Sequence, residues 1–292
     1  MSLKRQSPIE VDAAALQRLV DHCCSSSSSG SAAAAEEVAA TGNLLKVAPA
    51  EMRLGNELAA AAAAAAKQVV FDWGLKLQLK PAAAGDFGSL AAAANKYEVQ
   101  QFHFHAPAEH TLGGRSSIEL HVVCKCTDTA AAAAAANQNL VLGIFFEAKE
   151  GAADNPFLLC CERALAEQQQ QQEQQEVPAA VREALQQAAA AAAADDSSKD
   201  TVNLKELIDE DKILVTYEGS LTTPPCTENV LWYLRREAIP TSPEQAKRFS
   251  LYLKRGEGAQ ARSNYRLRQN VEVKANDQTL YVWIPELQQK TE

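Results

Sequence analysis

Five histidines occur in 292 residues, and four of them, His103, His105, His110 and His121, fall within one short stretch. In Gln101-Phe102-His103-Phe104-His105 polar and aromatic residues alternate, which predicts a strand. Side chains at i and i+2 of a strand share a face, so Gln101, His103 and His105 point one way and Phe102 and Phe104 the other. A second alternating run, Ile118 to Val123, puts Glu119, His121 and Val123 on one face. The interval from His105 to His121 is long enough for a loop and a return strand. Three neutral imidazoles from two neighbouring strands make a tripod that leaves the fourth zinc position open, the mark of a catalytic rather than a structural site. Each ligand also needs a partner on its other ring nitrogen, and the same alternation places Gln101 and Glu119 for that task. Zinc lowers the pKa of its water to about 7 and yields a hydroxide nucleophile at neutral pH. His103-x-His105 alone would read as ordinary strand residues; His121, Gln101 and Glu119 turn the reading toward metal. His22 lies in a polar stretch and reads as exposed and idle.

Strands must position these side chains, and the chain is rich in them. Gln68 to Asp72, Leu75 to Leu79, Glu98 to His105, Ile118 to Cys124 and Leu140 to Glu147 carry alternating or β-rich patterns. Ile213 to Tyr217, Glu228 to Leu234 and Thr279 to Ile284 follow. The expected class is mainly β (α+β): a single domain over 1–292 around a large, twisted, mostly antiparallel central sheet with short peripheral helices. Low-complexity tracts at 25–35, 59–66, 130–136 and 167–198 read as surface insertions, helical or disordered, because short alanine runs are marginal helices in isolation.

Composition narrows the partners. There are 28 basic and 37 acidic residues, a net charge of −9, so gripping a phosphate backbone is disfavoured and nucleic acid is excluded as a partner. No run of about 20 bulky apolar residues exists to span a membrane. Seven cysteines, two pairs of them vicinal, leave the redox compartment open. The first ten residues lack an apolar signal core. Had a signal been removed ahead of them, a secreted or membrane-compartment origin would follow, so localisation stays unassigned, as does the oligomeric state.

Several blocks together resemble the α-class carbonic anhydrases. Gln6-Ser7-Pro8-Ile9 resembles the N-terminal signature of that family. The stretch from Gln101 to Thr111 resembles its first metal block, in the compact form of bacterial and plant members. Glu119-Leu120-His121 resembles the block of the third ligand, and Val141 to Phe145 a core strand. Gly219 to Trp232 is close to the consensus throughout, and Asn264-Tyr265-Arg266 resembles a C-terminal motif. The resemblance implies zinc on His103, His105 and His121, and reversible hydration of carbon dioxide to bicarbonate and a proton by zinc-bound hydroxide. It implies that Thr222 accepts from that hydroxide and donates to an ionised Glu109, a positioning device. Thr223 would contact bicarbonate, and Val123, Val141, Leu221, Val230 and Trp232 would wall the carbon dioxide site. Gln101, Glu119 and the Asn264 backbone would orient the ligands, with His110, Tyr217 and Ser220 supporting them. Cis peptides are expected at Ser7-Pro8 and Pro224-Pro225.

The chain also departs from the family. The position matching its proton-shuttle histidine falls near Ala65, and the alternative, Glu57, is not histidine. No cysteine precedes Gln6 to pair with Cys226, and Leu267 stands where proline is usual. The competing reading is a catalytically silent carbonic-anhydrase-related module that binds a partner. A third, another zinc hydrolase, lacks a His-Glu-x-x-His motif.

Overall fold

A computed structural model describes residues 6–26, 38–39, 44–47, 54–58, 67–92, 94–114, 116–127, 138–171, 177–194, 204–208, 212, 214–255, 262–267, 269 and 279–283. The expected insertions at 59–66 and 130–136, most of 25–35, and Ala65 lie outside these residues.

The strands are β1 (Glu10–Val11), β2 (Val38–Ala39), β3 (Leu44–Val47), β4 (Gly55–Leu58), β5 (Lys67–Asp72), β6 (Lys76–Pro81), β7 (Gly88–Ala92) and β8 (Asn95–His105). They continue with β9 (Thr111–Leu112), β10 (Ile118–Cys126), β11 (Asn139–Ala148), β12 (Leu214–Gly219), β13 (Val230–Arg235), β14 (Ile239–Thr241), β15 (Lys254–Arg255), β16 (Arg262–Ser263) and β17 (Thr279–Trp283). Thirteen of them form one sheet, ordered β2-β3-β17-β12-β13-β11-β10-β8-β6-β5, with β7 beside β8, β4 beside β7 and β14 beside β11. Antiparallel pairings dominate; β11–β13, β11–β14 and β17–β3 are parallel. The sheet is therefore mixed but mostly antiparallel, as expected.

The alternation read from the sequence decides which face each side chain covers. Phe102, Phe104, Leu120, Val122, Leu142 and Ile144 point to one face, where they pack with the helices Pro156–Gln171 and Pro243–Leu253. His103, His121, Val141, Phe145, Val215 and Trp232 belong to the other. There the N-terminal helix Ala13–Ser26 covers part of the sheet through Leu16, Leu19 and Val20. Side-chain caps start three of the helices. Asp12 accepts from the Ala15 amide, Asn155 from those of Phe157 and Leu158, and Ser242 from that of Gln245.

One tract behaves differently from its composition. Residues 179–194, inside the stretch read as a surface insertion, form a helix in which Val181, Ala184, Leu185 and Ala188 are buried. The spacing i, i+3, i+4, i+7 gives one inward stripe. The stripe packs toward the Pro156–Gln171 helix. Alanine carries no contrast between faces, so composition does not reveal this stripe.

Candidate metal centre

β8 and β10 lie side by side with His103 opposite His121 and His105 opposite Glu119. Cross-strand partners in a sheet project to the same face. The register therefore brings the three imidazoles together, with ring centroids 5.0, 5.2 and 4.6 Å apart. One ligand atom from each of His103, His105 and His121 lies within 4.8 Å of the other two.

Each ring is held by one nitrogen. His103 Nδ1 meets Gln101 Oε1 at 2.9 Å, His105 Nδ1 meets the Asn264 carbonyl at 2.9 Å, and His121 Nε2 meets Glu119 Oε1 at 2.8 Å. All three acceptors oblige the bonded nitrogen to carry the proton. His103 Nε2, His105 Nε2 and His121 Nδ1 are left as acceptors. The buried Nε2 of His105 has no hydrogen-bond partner among the described residues. A buried polar atom without a partner is costly, and a metal ion would satisfy it. Three neutral nitrogens fit zinc chemistry.

For two of the three rings the electrostatics favour the neutral form. Burial lowers the pKa of His103 far below the ordinary value, helped by the charges of His105, His121 and Lys76. Burial also lowers His105, outweighing the opposing pull of Glu109. For His121 burial would do the same, but the ionised Glu119 beside it wins and raises the value. Burial would raise Glu119; the His110 and His121 rings, through charge and hydrogen bonds, hold it well below the carboxylate range.

Glu119 is also the hub of the support. Its Oε1 accepts from His110 Nδ1 at 2.7 Å as well as from His121, and its Oε2 accepts the Glu109 and His110 amides at 2.7 and 2.9 Å. His110, Glu119 and His121 form a second group of possible metal ligands. Those bonds occupy both oxygens of Glu119 and one nitrogen on each ring, so the trio is better read as support for the first. With its Nδ1 donating, His110 Nε2 must accept from Tyr217 Oη at 2.6 Å. Tyr217 in turn accepts from Ser7 Oγ at 2.9 Å, and Ser7 Oγ accepts the Ser220 amide at 3.1 Å. The chain of donors runs one way, toward Glu119. Ser220 is fixed further by donating to Leu221 O and accepting the Trp232 indole N–H at its own carbonyl.

Glu109 lies at the edge of the triad. Its Oε1 accepts the Arg266 amide at 2.6 Å and stands 3.5 Å from His105 Nδ1. Its buried Oε2 is 3.9 Å from His121 Nδ1 and without a hydrogen-bond partner among the described residues. The expected Thr222–Glu109 hydrogen bond is therefore not made. Thr222 is buried just before the turn that the Cys226 amide closes onto Thr223 O, while Thr223 is exposed. Val141, Val230 and Trp232 form one apolar cluster, with Val123 and Leu221 packed against it.

Both expected cis peptides are present, and Ala106-Pro107 is a third. Cys124, Cys126, Cys160, Cys161 and Cys226 form no disulfide among the described residues, so the vicinal pair at 160–161 is not bridged. Sequence reasoning gave no individual role to Gly143, which faces His121 across β10–β11. A Cβ there would lie 2.7 Å from Leu234 Cδ2 and 3.1 Å from Glu119 Oε1. It also gave none to Gln6, Arg266 or Gln78, which pairs with His103. The first two stand inside blocks recognised as motifs, and that was their only signal.

The family described as eukaryotic-type carbonic anhydrase matches residues 1–275. Alpha carbonic anhydrase 8 of Arabidopsis thaliana is 31% identical over 156 residues, 52% of this chain and 31% of that protein. A carbonic anhydrase of Nostoc sp. is 31% identical over 162 residues, 55% of this chain and 49% of that protein. Against these two curated relatives the match thus spans 31% and 49% of their length. A carbonic anhydrase of Chlamydomonas reinhardtii, solved in complex with acetazolamide, superposes with a TM-score of 0.57 at 25% identity, covering 96% of this chain and 90% of that one.

Proposed function

The chain belongs to the eukaryotic-type carbonic anhydrase family, and on that premise we propose that it reversibly hydrates carbon dioxide to bicarbonate and a proton, with zinc held by His103, His105 and His121. One observation carries the reading. Each of the three rings is pinned through one nitrogen, and the other three nitrogens are free to share one ion. Zinc bound there would act as a Lewis acid and make hydroxide available near neutral pH.

The remaining roles fall to the protein. Glu109, with Oε1 fixed by the Arg266 amide, keeps Oε2 for a donor. A hydrogen bond donated to that oxygen by the Thr222 hydroxyl would leave Thr222 only lone pairs to offer a nucleophile, and so select its orientation. Carbon dioxide has no charge and no donor, so Val123, Val141, Leu221, Val230 and Trp232 suit it as an apolar wall that excludes water. Exposed Thr223 suits the departing bicarbonate. For the proton, the chain has no histidine at the position of the family's shuttle, so the acceptor is buffer.

Zinc analysis with stopped-flow carbon dioxide hydration tests this, with His121→Ala as control. The expectation is one zinc per chain, activity lost in the variant, and turnover that rises with added imidazole. Protein that takes up no zinc would refute the site. Zinc-loaded protein without hydration would favour a silent binding module, and a rate indifferent to buffer would refute the missing shuttle.

A further inference from the structure

Three segments far apart in sequence meet beside the triad: 6–9, 220–229 and 264–267 with Gln269. Gln6 lies at their junction and is 9% exposed. Its Nε2 donates to Glu228 Oε1 at 2.9 Å and to the Cys226 carbonyl at 3.4 Å. Its Oε1 accepts from Arg266 Nη2 at 3.0 Å. Arg266 Nη1 donates to the Ser7 carbonyl at 2.7 Å, and the Gln269 amide to the Pro8 carbonyl at 2.9 Å. Only an amide suits position 6, since it must donate to a carboxylate on one side and accept from a guanidinium on the other. A carboxylate there would face Glu228, and an ammonium would face Arg266.

The backbone anchored in this way touches the site twice. The Asn264 carbonyl accepts from His105 Nδ1 at 2.9 Å, and the Arg266 amide donates to Glu109 Oε1 at 2.6 Å. The Asn264 side chain ties the same backbone to β8, donating to Phe104 O at 2.7 Å and accepting the Ala106 amide at 3.3 Å. Glu109 and His105 thus take their orientation from a short segment whose outer side rests on Gln6.

We propose that Gln6 and Arg266 are positioning residues that lock the 264–266 backbone and through it aim His105 and Glu109. The proposal rests on reading the triad as a zinc site, and it adds a support neither residue was assigned. Outer partners of metal ligands are worth about 10–100-fold in affinity or activity. Gln6→Glu is nearly isosteric and sets two carboxylates against each other. Combined with Glu228→Gln, it restores the match of donor and acceptor.

The test measures zinc release to a chelator, kcat and KM for carbon dioxide, and thermal midpoint. Tyr252→Phe serves as a control that weakens the remote Glu162 cluster. Gln6→Glu and Arg266→Met should each speed zinc release about 10-fold or more and lower kcat per bound zinc with KM unchanged. Glu228→Gln should restore both in the Gln6→Glu background. Gln6→Glu with Arg266→Met should add little to either alone, since they break one lock. Tyr252→Phe should lower the midpoint and leave zinc release as in the parent. Variants at 6 and 266 that lose thermal stability but keep parental zinc release and kcat would overturn the proposal. Nitrogen NMR of the His105 ring in metal-free protein gives a reading independent of zinc. The hydrogen-bonded Nδ1–H should be present in the parent and weakened in Gln6→Glu. A parent that binds no zinc would refute the triad, whereas an unchanged His105 signal would refute the lock.

Discussion

Two carboxylates, Glu119 and Glu162, are both 0% exposed and lie on opposite faces of the same sheet, yet their surroundings drive them in opposite directions. Glu162, on the Pro156–Gln171 helix, takes Arg248 Nε and Nη2 at 2.7 and 2.9 Å, Tyr252 Oη at 2.9 Å and Gln245 Nε2 at 3.2 Å. Burial nevertheless dominates and raises its pKa. Glu119 takes two ring nitrogens and two amides, and these overcome burial to lower its pKa far. The decisive contrast lies one shell out. The partners of Glu162 spend themselves within the cluster, Arg248 completing its set with Asp154 Oδ2 at 2.6 Å. The partners of Glu119 pass on: His121 keeps Nδ1 open beside His105 Nε2 and Glu109 Oε2, which have no hydrogen-bond partner among the described residues. A closed polar cluster holds helices together; an open one is built to receive something.

Breaking the closed cluster should give the largest effect. Arg248→Met leaves Glu162 buried without its counter-charge, a loss of about 3–5 kcal/mol at neutral pH, while zinc content and activity per folded molecule stay parental. The pH dependence has a definite sign. A carboxyl with a raised folded pKa contributes most below its unfolded value and loses that contribution as pH rises through the folded one. Without Arg248 the folded value rises further, so the penalty should shrink between pH 7 and 5 as Glu162 takes up a proton. Urea unfolding at both pH values measures this, and a penalty independent of pH would contradict the assignment.

Glu119→Gln should reverse the pattern. An amide cannot accept from two rings and two backbone amides at once, so zinc affinity should fall about 10–100-fold, or 1.4–2.8 kcal/mol. Glu119 has a lowered folded pKa. Its contribution to stability is present above the ordinary carboxylate range and is lost only as pH falls through the depressed value. The stability cost of the variant should therefore not shrink between pH 7 and 5 in metal-free protein. Chelator competition and urea unfolding separate the two effects.

The two clusters also differ in how far the sequence revealed them. The histidine side rests on period-two alternation within Gln101–His105 and Glu119–Val123, a local signal, and the strands that carry it lie where that alternation predicts. The motif blocks supplied the partners from afar: Asn264 at His105, and Tyr217 at His110. The Glu162 cluster joins two helices whose partners stand more than 80 residues apart, with no motif and no short-range pattern. Long-range pairing between helices leaves no local trace, and the alanine-rich helix hid its buried stripe because alanine suits either face. The Thr222–Glu109 bond came from resemblance alone, and the geometry does not make it.

Gly143 offers the finest cut between the clusters, because it touches one without taking part in it. It is a strand glycine with Leu234 on one side and Glu119 on the other, and β-sheet interiors ordinarily disfavour glycine. Its value is the missing Cβ. In Gly143→Ala the new methyl would overlap Leu234 Cδ2 at 2.7 Å and press on Glu119 Oε1 at 3.1 Å. Relief by moving Leu234 costs packing, about 1–3 kcal/mol for an overpacked core. Relief by moving Glu119 disturbs the bonds to His110 and His121. The expected result is a stability loss smaller than for Arg248→Met, together with a drop in zinc affinity smaller than for Glu119→Gln. A loss of stability with parental zinc affinity would mean that Leu234 yields and Glu119 holds, and the carboxylate would then be more rigidly set than its open neighbours require.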